Sequence, residues 1–515
     1  MDPIDAAPVA ALREILRLPT VASEDPDLTD PAPFVELHSR LREHFPLTHE
    51  VGEVIDVPPH ALLIRVPADP ASPTAAADPV VLMAHMDVVP LGDETLWTHP
   101  PLAAEVVDGV IWGRGTLDDK GQLVAVTAAV ESLLADGRRP ARDVWLSFGS
   151  DEEVMGSSAQ RAVEVLRARE VQPWFVLDEG GAVASEAFPG VTRPLGVVGV
   201  SEKGVLSLRL TASGRGGHAS RPAKGGPAAR VAAAITRLER HPFPAHVSPA
   251  TLEMLRRLAP HLPRPLRPVV ERADRFPGAL ARLLVAAGPE AAALARTTVA
   301  VTTLTGSPAI NVSPTSVVAG LNLRIAVGET TADATTRIRR VVGPDIDIEV
   351  ADAHEPSPLS PVDDPAFALL ERTITEVFAE AVPVPYVMYA ATDARHFTTI
   401  CERVYRFAPF RMSAAQREAI HSYDERLGSR TSSTGSGGTA PCSTAWQACD
   451  EPDDLADRRL PRRRRDRVGH PAGLLHADLQ RHRRPPPHRR RRRQLVRGGP
   501  AHRRGTGGAG ALAAG

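Results

Sequence analysis

Four short stretches of the chain carry side chains that can hold metal ions and move protons. His85 and Asp87 close the apolar run VVLMAHMD. Two residues apart on a strand they face the same side, so one can ligate a metal while the other fixes its ring. Asp118 and Asp119 adjoin on the Gly-rich turn of GRGTLDDKG. Neighbouring carboxylates repel each other unless a cation holds them. Asp119 also suits the first turn of a helix, and bridging two metal ions would remove the repulsion at Asp118. Glu152 and Glu153 follow the apolar VWLSFGSD. In a two-metal site one carboxylate ligates and a second stays free as a base toward water. Asp178 and Glu179, in FVLDEGG, repeat the theme after another apolar run. Each pair alone also reads as a solvated loop or a helix cap; four such pairs at strand ends of one sheet do not. Carboxylates and imidazoles without thiolates suit zinc, with cobalt or manganese as substitutes.

The elements that must position these residues are legible in the hydrophobic pattern. Apolar runs at 80–86, 144–148 and 174–177 predict buried strands, and the stretches 121–134 and 157–168 predict helices between them. Strand, helix, strand at this spacing means parallel βαβ units, with the chemistry gathered at the strands' carboxyl ends. Near residue 200 the texture changes. Residues 205–211 alternate apolar and polar, 225–238 form an Ala-rich helix, 252–294 are helical with Pro breaks, and 297–304, 316–325 and 345–350 are strands. A helix at 364–378 and a strand at 404–407 resume the first pattern. The expected architecture is an α/β fold, a mostly parallel sheet flanked by helices. Its catalytic domain comes in two parts, 1–199 and 356–427, around an inserted α+β satellite domain at 200–355. The N-terminal stretch lacks a basic n-region and reads as a surface helix, and no run reaches the roughly 18 apolar residues of a membrane span.

The 515 residues, 43% hydrophobic and 24% charged, exclude collagenous, wholly disordered and polytopic membrane classes. The net charge of −2 conceals a division: residues 428–515 carry 19 Arg, no Lys and 7 acidic residues, a tail of +12 on a body of −14. An acidic body without a basic stripe argues against nucleic acid as its partner. The tail has no apolar period and is expected to be disordered; its all-Arg usage with Pro, Gly, Ala and His reads as out-of-frame GC-rich coding sequence. Three cysteines, Cys401, Cys442 and Cys449, make no disulfide framework and no paired CxxC, so a reducing, cytoplasmic setting is the default.

Together, and in this order, AHMDVVP, WTHPPLAAEVVDGVIWGRGTLDDKG, SFGSDEEVMGS and FVLDEGG resemble the co-catalytic dinuclear zinc peptidase superfamily. That group includes aminoacylases, glutamate carboxypeptidase, acetylornithine deacetylase and succinyl-diaminopimelate desuccinylase. The nearest likeness is to the carboxypeptidase S and N-acyl-amino-acid hydrolase type, over about residues 1–427. The resemblance implies two zinc ions, one held by His85 and Asp178, the other by Glu153 and His421, with Asp118 bridging. It also implies Glu152 as general base, Asp87 as the partner that orients His85, and a cis peptide between Asp118 and Asp119. His421 matches an IHG-x-NE-like element with Ser422 where Gly is usual. Its competitor His396 lies in a TDSRH-like element and receives no metal; Arg395 of that element would approach the substrate carboxylate.

SGRGGHASRP is similar to the satellite domain's GHSS-P element. His218 would then hydrogen-bond the carbonyl oxygen as it becomes an oxyanion, in many relatives from a partner subunit. Asn311 and Arg324 match substrate-facing positions. The implied activity is hydrolysis of N-acyl amino acids or small peptides with a free carboxylate, by a homodimer joined through satellite domains that close over the site. Rival readings are a member inactivated or destabilised by the aberrant C-terminus, and a two-metal phosphoesterase, for which the acidic body offers few cations. A serine hydrolase is disfavoured because no GxSxG follows a strand.

Overall fold

The computed structural model describes residues 3–265 and 267–428. The Arg-rich tail, Cys442 and Cys449 lie outside the described residues, and Cys401 is a buried free thiol. Among the described residues no helix is long and apolar enough to cross a membrane.

A ten-stranded sheet carries the chemistry-bearing stretches. At its centre Val144–Gly149, Val80–His85, Phe175–Asp178 and Val404–Arg406 lie side by side and parallel. Every residue of Val80–His85 is buried, as strands covered on both faces require. Alternate side chains feed two separate cores. Val80, Leu82, Ala84, Leu146, Phe148, Phe175 and Leu177 point to one face; Val81, Met83, Trp145 and Val176 point to the other.

The first face is covered by Lys120–Ala135, which begins directly after Asp119 and buries residues all round its circumference. A helix apolar on every side belongs inside a layered core, and this one ends at Gly137 with φ +70°, where a left-handed terminus favours glycine. The second face is covered by Ser158–Ala168, amphipathic, which buries Ala159, Ala162, Val163 and Leu166 at three- and four-residue spacing. Ala394 and Phe397 join it there.

Residues 200–355 contribute to two packing units. Four strands, in the order Thr298–Thr305, Ser316–Ile325, Gly204–Ser213 and Asp347–His354, form an antiparallel sheet. Helices Pro227–Arg240 and Thr331–Val342 cover its apolar face. The stretch expected as one helical run with Pro breaks is a set of short helices, among them Pro249–Leu258 and Pro277–Ala286, with Pro in the first turn. Met254, Leu255, Leu280 and Leu284 pack not on the four-stranded sheet but with Leu195, Val382 and Val384 of the large one. The strand Val382–Met388 was not foreseen, because Pro383 and Pro385 mask it; it pairs only with Leu195–Glu202, an edge position where proline is tolerated.

Candidate metal centre

The central strands are in register so that their carboxyl ends converge: His85 pairs with Gly149, three residues before Glu152, and Leu82 pairs with Leu177, just before Asp178 and Glu179. His85 is fully enclosed, 1% exposed. Its Nδ1 lies 3.0 Å from the Asp87 carbonyl oxygen and 3.4 Å from Asp87 Oδ1. Asp87 also accepts the Glu153 N–H at 3.0 Å, so one carboxylate ties the His85 strand end to the Glu152–Glu153 turn.

Asp118 stands at the middle of the cluster. Its Oδ1 lies 2.9 Å from His85 Nε2, and its Oδ2 lies 2.9 Å from His421 Nε2. His421 Nε2 is also 2.9 Å from Glu153 Oε2. Burial would raise the Asp118 pKa, but the two imidazoles outweigh it and hold the carboxyl well below its usual range. Asp118 and Asp119 are joined by a cis peptide, as the resemblance implied, and Asp119 turns away to accept the His85 N–H at 3.3 Å.

Two groups of side chains bring ligand atoms to within 4.8 Å of one another, His85 with Asp118 and Glu179, and Asp118 with Glu153 and His421. Asp118 is common to both. Glu179, and not the expected Asp178, brings its carboxylate into the first group. Asp178 continues the Val176 side of its strand, toward Ala394 and Phe397, and its Oδ2 accepts the Ala394 N–H at 2.9 Å while Oδ1 accepts the Glu179 N–H. Glu179 lies just past the end of the strand Phe175–Asp178. Strand alternation sets His85 on the Val81 and Met83 side, the same side as Asp178, and so favours Asp178; the chain leaves the strand after Asp178, and it is Glu179 whose carboxylate comes to His85 and Asp118.

The donor set fits divalent cations. Burial raises the pKa of Glu179 well above the ordinary carboxylate value, and the neighbouring Asp118 and Asp119 raise it further. Buried carboxylate oxygens of Asp87, Asp119 and Glu153 have no hydrogen-bond partner. Such a crowd of oxygens around two imidazoles is costly without positive charge. Glu152 is 8% exposed and lies in neither ligand group. Burial pushes its pKa well above the ordinary value, with Asp393, Asp118 and Glu153 adding to the effect and His85 opposing it.

The remaining sequence-expected residues are not gathered here. His218 is exposed on a two-stranded ribbon of Gly217–His218 with Val312–Ser313, its Nδ1 accepting from Ser220 Oγ at 2.7 Å. Asn311 is exposed on the same ribbon, its carbonyl accepting the Ala219 N–H. Arg324 is half-buried opposite Val205 on the four-stranded sheet. Arg395 donates from Nη1 to the Thr392 carbonyl and, with His354 and His396, lines a cavity of 370 Å³ beside Ser150 and Asp151. That cavity lies next to the Glu152 turn but is not lined by the metal-ligand groups.

Residues 81–433 match the model of peptidase family M20/M25/M40. The chain belongs to that family. Among M20 relatives, it is 33% identical over 426 residues to the human N-fatty-acyl-amino acid synthase/hydrolase PM20D1, covering 81% of this chain and 83% of the other. It is 32% identical over 399 residues to a probable carboxypeptidase S-like 2 of Dictyostelium discoideum, 76% of each. In fold it is similar to an M20 metallo-carboxypeptidase from Sulfolobus solfataricus, with a TM-score of 0.60 at 16% identity, over 87% of this chain and 97% of the other. The M20 membership makes this chain an enzyme of the metallopeptidase or amidohydrolase type.

Proposed function

We propose that this M20 protein is a zinc-dependent hydrolase of N-acyl amino acids or small peptides with a free carboxylate. The observation that supports it most is that Asp118 is shared between two ligand groups, each completed by one imidazole and one further carboxylate. His85, Asp118 and Glu179 would hold one zinc and Asp118, Glu153 and His421 the other, with cobalt or manganese as substitutes. When bound, the pair of ions supplies Lewis acidity to a carbonyl and makes water a stronger acid.

The chain's own residues do the rest. Glu152, kept out of both ligand groups and away from bulk water, takes a proton from the attacking water and returns it to the departing amine nitrogen. Asp87 holds the His85 ring at Nδ1, through its carbonyl oxygen at 3.0 Å with its carboxylate 3.4 Å away, and so fixes which nitrogen faces Asp118. Arg395, Arg324 and Asn311 anchor the substrate's carboxylate and backbone. His218 donates to the carbonyl oxygen as it gains charge, arriving by closure of the four-stranded-sheet unit at 200–355 or from a second copy in a homodimer. The name of the human relative joins synthesis to hydrolysis; the same proton path run backwards would condense a fatty acid with an amino acid.

The test is a panel of N-acyl amino acids, dipeptides and phosphate esters assayed with added zinc, alongside metal analysis. Turnover of acylated amino acids with two zinc ions per chain is expected. Hydrolysis confined to phosphate esters, or full activity after exhaustive chelation, would remove the proposal.

A further inference from the structure

Glu425 has no role in the reading above, yet it is the most thoroughly hydrogen-bonded carboxylate near the centre. It is fully buried. Its Oε2 accepts from Arg114 Nη1 at 2.8 Å and from the Gly115 N–H at 3.0 Å. Its Oε1 accepts from the Leu117 N–H at 2.8 Å, the Asp118 N–H at 3.1 Å and Thr116 Oγ1 at 3.5 Å. The loop 114–118 therefore wraps one carboxylate with three backbone N–H groups, a nest of the kind that binds anions. Gly115 sits in it at φ +85°, a conformation side chains rarely adopt.

The segment carrying Glu425 also carries His421, and it is pinned along its length. Arg114 Nη2 donates to the Ser422 carbonyl at 2.7 Å, Tyr423 stacks edge-on to Trp97 at 6.0 Å, and Asp424 accepts from the Thr98 N–H and hydroxyl. Arg426–Gly428 then pairs antiparallel with Val110–Trp112, the strand that leads into the 114–118 loop.

We propose that Glu425 is a positioning residue that sets Asp118 against His421, so that the shared carboxylate and the late imidazole approach the metals as one unit. This rests on reading Asp118 as the shared ligand. Asp118 is gripped on both sides by one short piece of chain, its N–H by Glu425 and its Oδ2 by His421. Replacing Glu425 by Gln keeps the shape but turns an amide NH₂ toward N–H donors, so at least one side of the nest must open. Loss of a residue supporting a metal ligand typically costs about 10–100-fold in metal affinity or activity.

The experiment uses the full chain and compares Glu425→Gln and Glu425→Asp with Glu131→Gln. Glu131 caps the first turn of the helix Pro46–Val51, accepting from the Leu47 and Thr48 N–H groups and the Thr48 hydroxyl, and lies eleven residues along the helix that begins at Lys120. Zinc affinity of the folded protein is measured by chelator competition, kcat and KM separately, and the melting midpoint by calorimetry. Glu425→Gln should weaken zinc binding about 10–100-fold and lower kcat with KM within about twofold, with Glu425→Asp in between. Glu131→Gln should lower the midpoint and leave zinc affinity of the folded fraction unchanged. If Glu425→Gln does not fold, folded Glu425→Asp decides: weakened zinc supports the proposal, wild-type affinity overturns it. Wild-type zinc affinity in folded Glu425→Gln also overturns it while leaving the metal site intact; a wild type that takes up no zinc removes the site and this role together.

Discussion

At the carboxyl ends of the large sheet, His85, Asp118, Glu153 and His421 stand within hydrogen-bond reach of one another. On the ribbon of Gly217–His218 with Val312–Ser313, His218 and Asn311 stand exposed, His218 bonded to Ser220 and the Asn311 carbonyl to the Ala219 N–H across the ribbon. Of the first set, His85 and Glu153 follow buried parallel strands in fixed register, and Asp118 and His421 come from the 114–118 loop and the 421–428 segment, which are locked to each other through Glu425. The second is carried on a short ribbon attached to a separately packed sheet, and nothing in the core fixes its distance from Asp118. The contrast is the one the proposed roles call for, with ligands held by a buried framework and substrate contacts carried on an exposed unit.

The sharpest break in that comparison is at Glu152. Glu152→Gln should lower kcat by about 10²–10⁴-fold while metal analysis finds both ions in place; near-normal turnover would move the base elsewhere. On the ribbon, His218→Ala should cost about 10²–10³-fold in kcat with zinc content and melting midpoint unchanged, as expected for an oxyanion donor outside the core. A loss of zinc in that variant would tie the ribbon to the rigid set.

The pair Asp178 and Glu179 tests the rigid set from within. Glu179→Ala should leave one metal bound weakly or not at all, whereas Asp178→Asn should keep metal stoichiometry and act through the Ala394 contact; the reverse result would restore Asp178 as ligand. The two cores offer a smaller contrast: Phe148→Ala under the catalytic strand ends should cost about 3–5 kcal/mol and lower zinc occupancy, while Leu210→Ala in the four-stranded unit should cost about 2–5 kcal/mol with zinc retained. Urea melts with metal analysis separate them.

The least effect is one of pH. His396 is pushed down to about 4 from 6.5, first by burial and then by Arg395 and His354. Between those values the unfolded chain binds a proton that the folded chain does not, so stability is intact above the upper value and is lost as pH falls toward the lower. His396→Gln should flatten that limb of the melting midpoint against pH; an unchanged limb would assign it to other groups.

Much of this was legible before any coordinates. The runs ending at His85, Gly149 and Leu177 are strands because they are apolar, β-branched and of strand length, and their following acids had to converge once the strands were parallel. The strand with Pro383 and Pro385 was hidden because proline argues against a strand unless the edge position is known. Glu425 closes the IHG-x-NE-like element, but what its carboxylate holds was hidden until the 114–118 loop closed around it.

The sequence by itself determined the fold class, the alternation of strand and helix through the first 200 residues and the chemical types at the strand ends, since hydrophobic period and residue type are local properties. Only the tertiary structure decided that Glu179 and not Asp178 joins His85 and Asp118 in one group, that the helices at 249–286 serve the large sheet, and that one short segment at 421–428 supplies both His421 and the carboxylate beneath Asp118. Those are questions of which face is which and which distant segment arrives, and they are settled by packing between residues hundreds of positions apart.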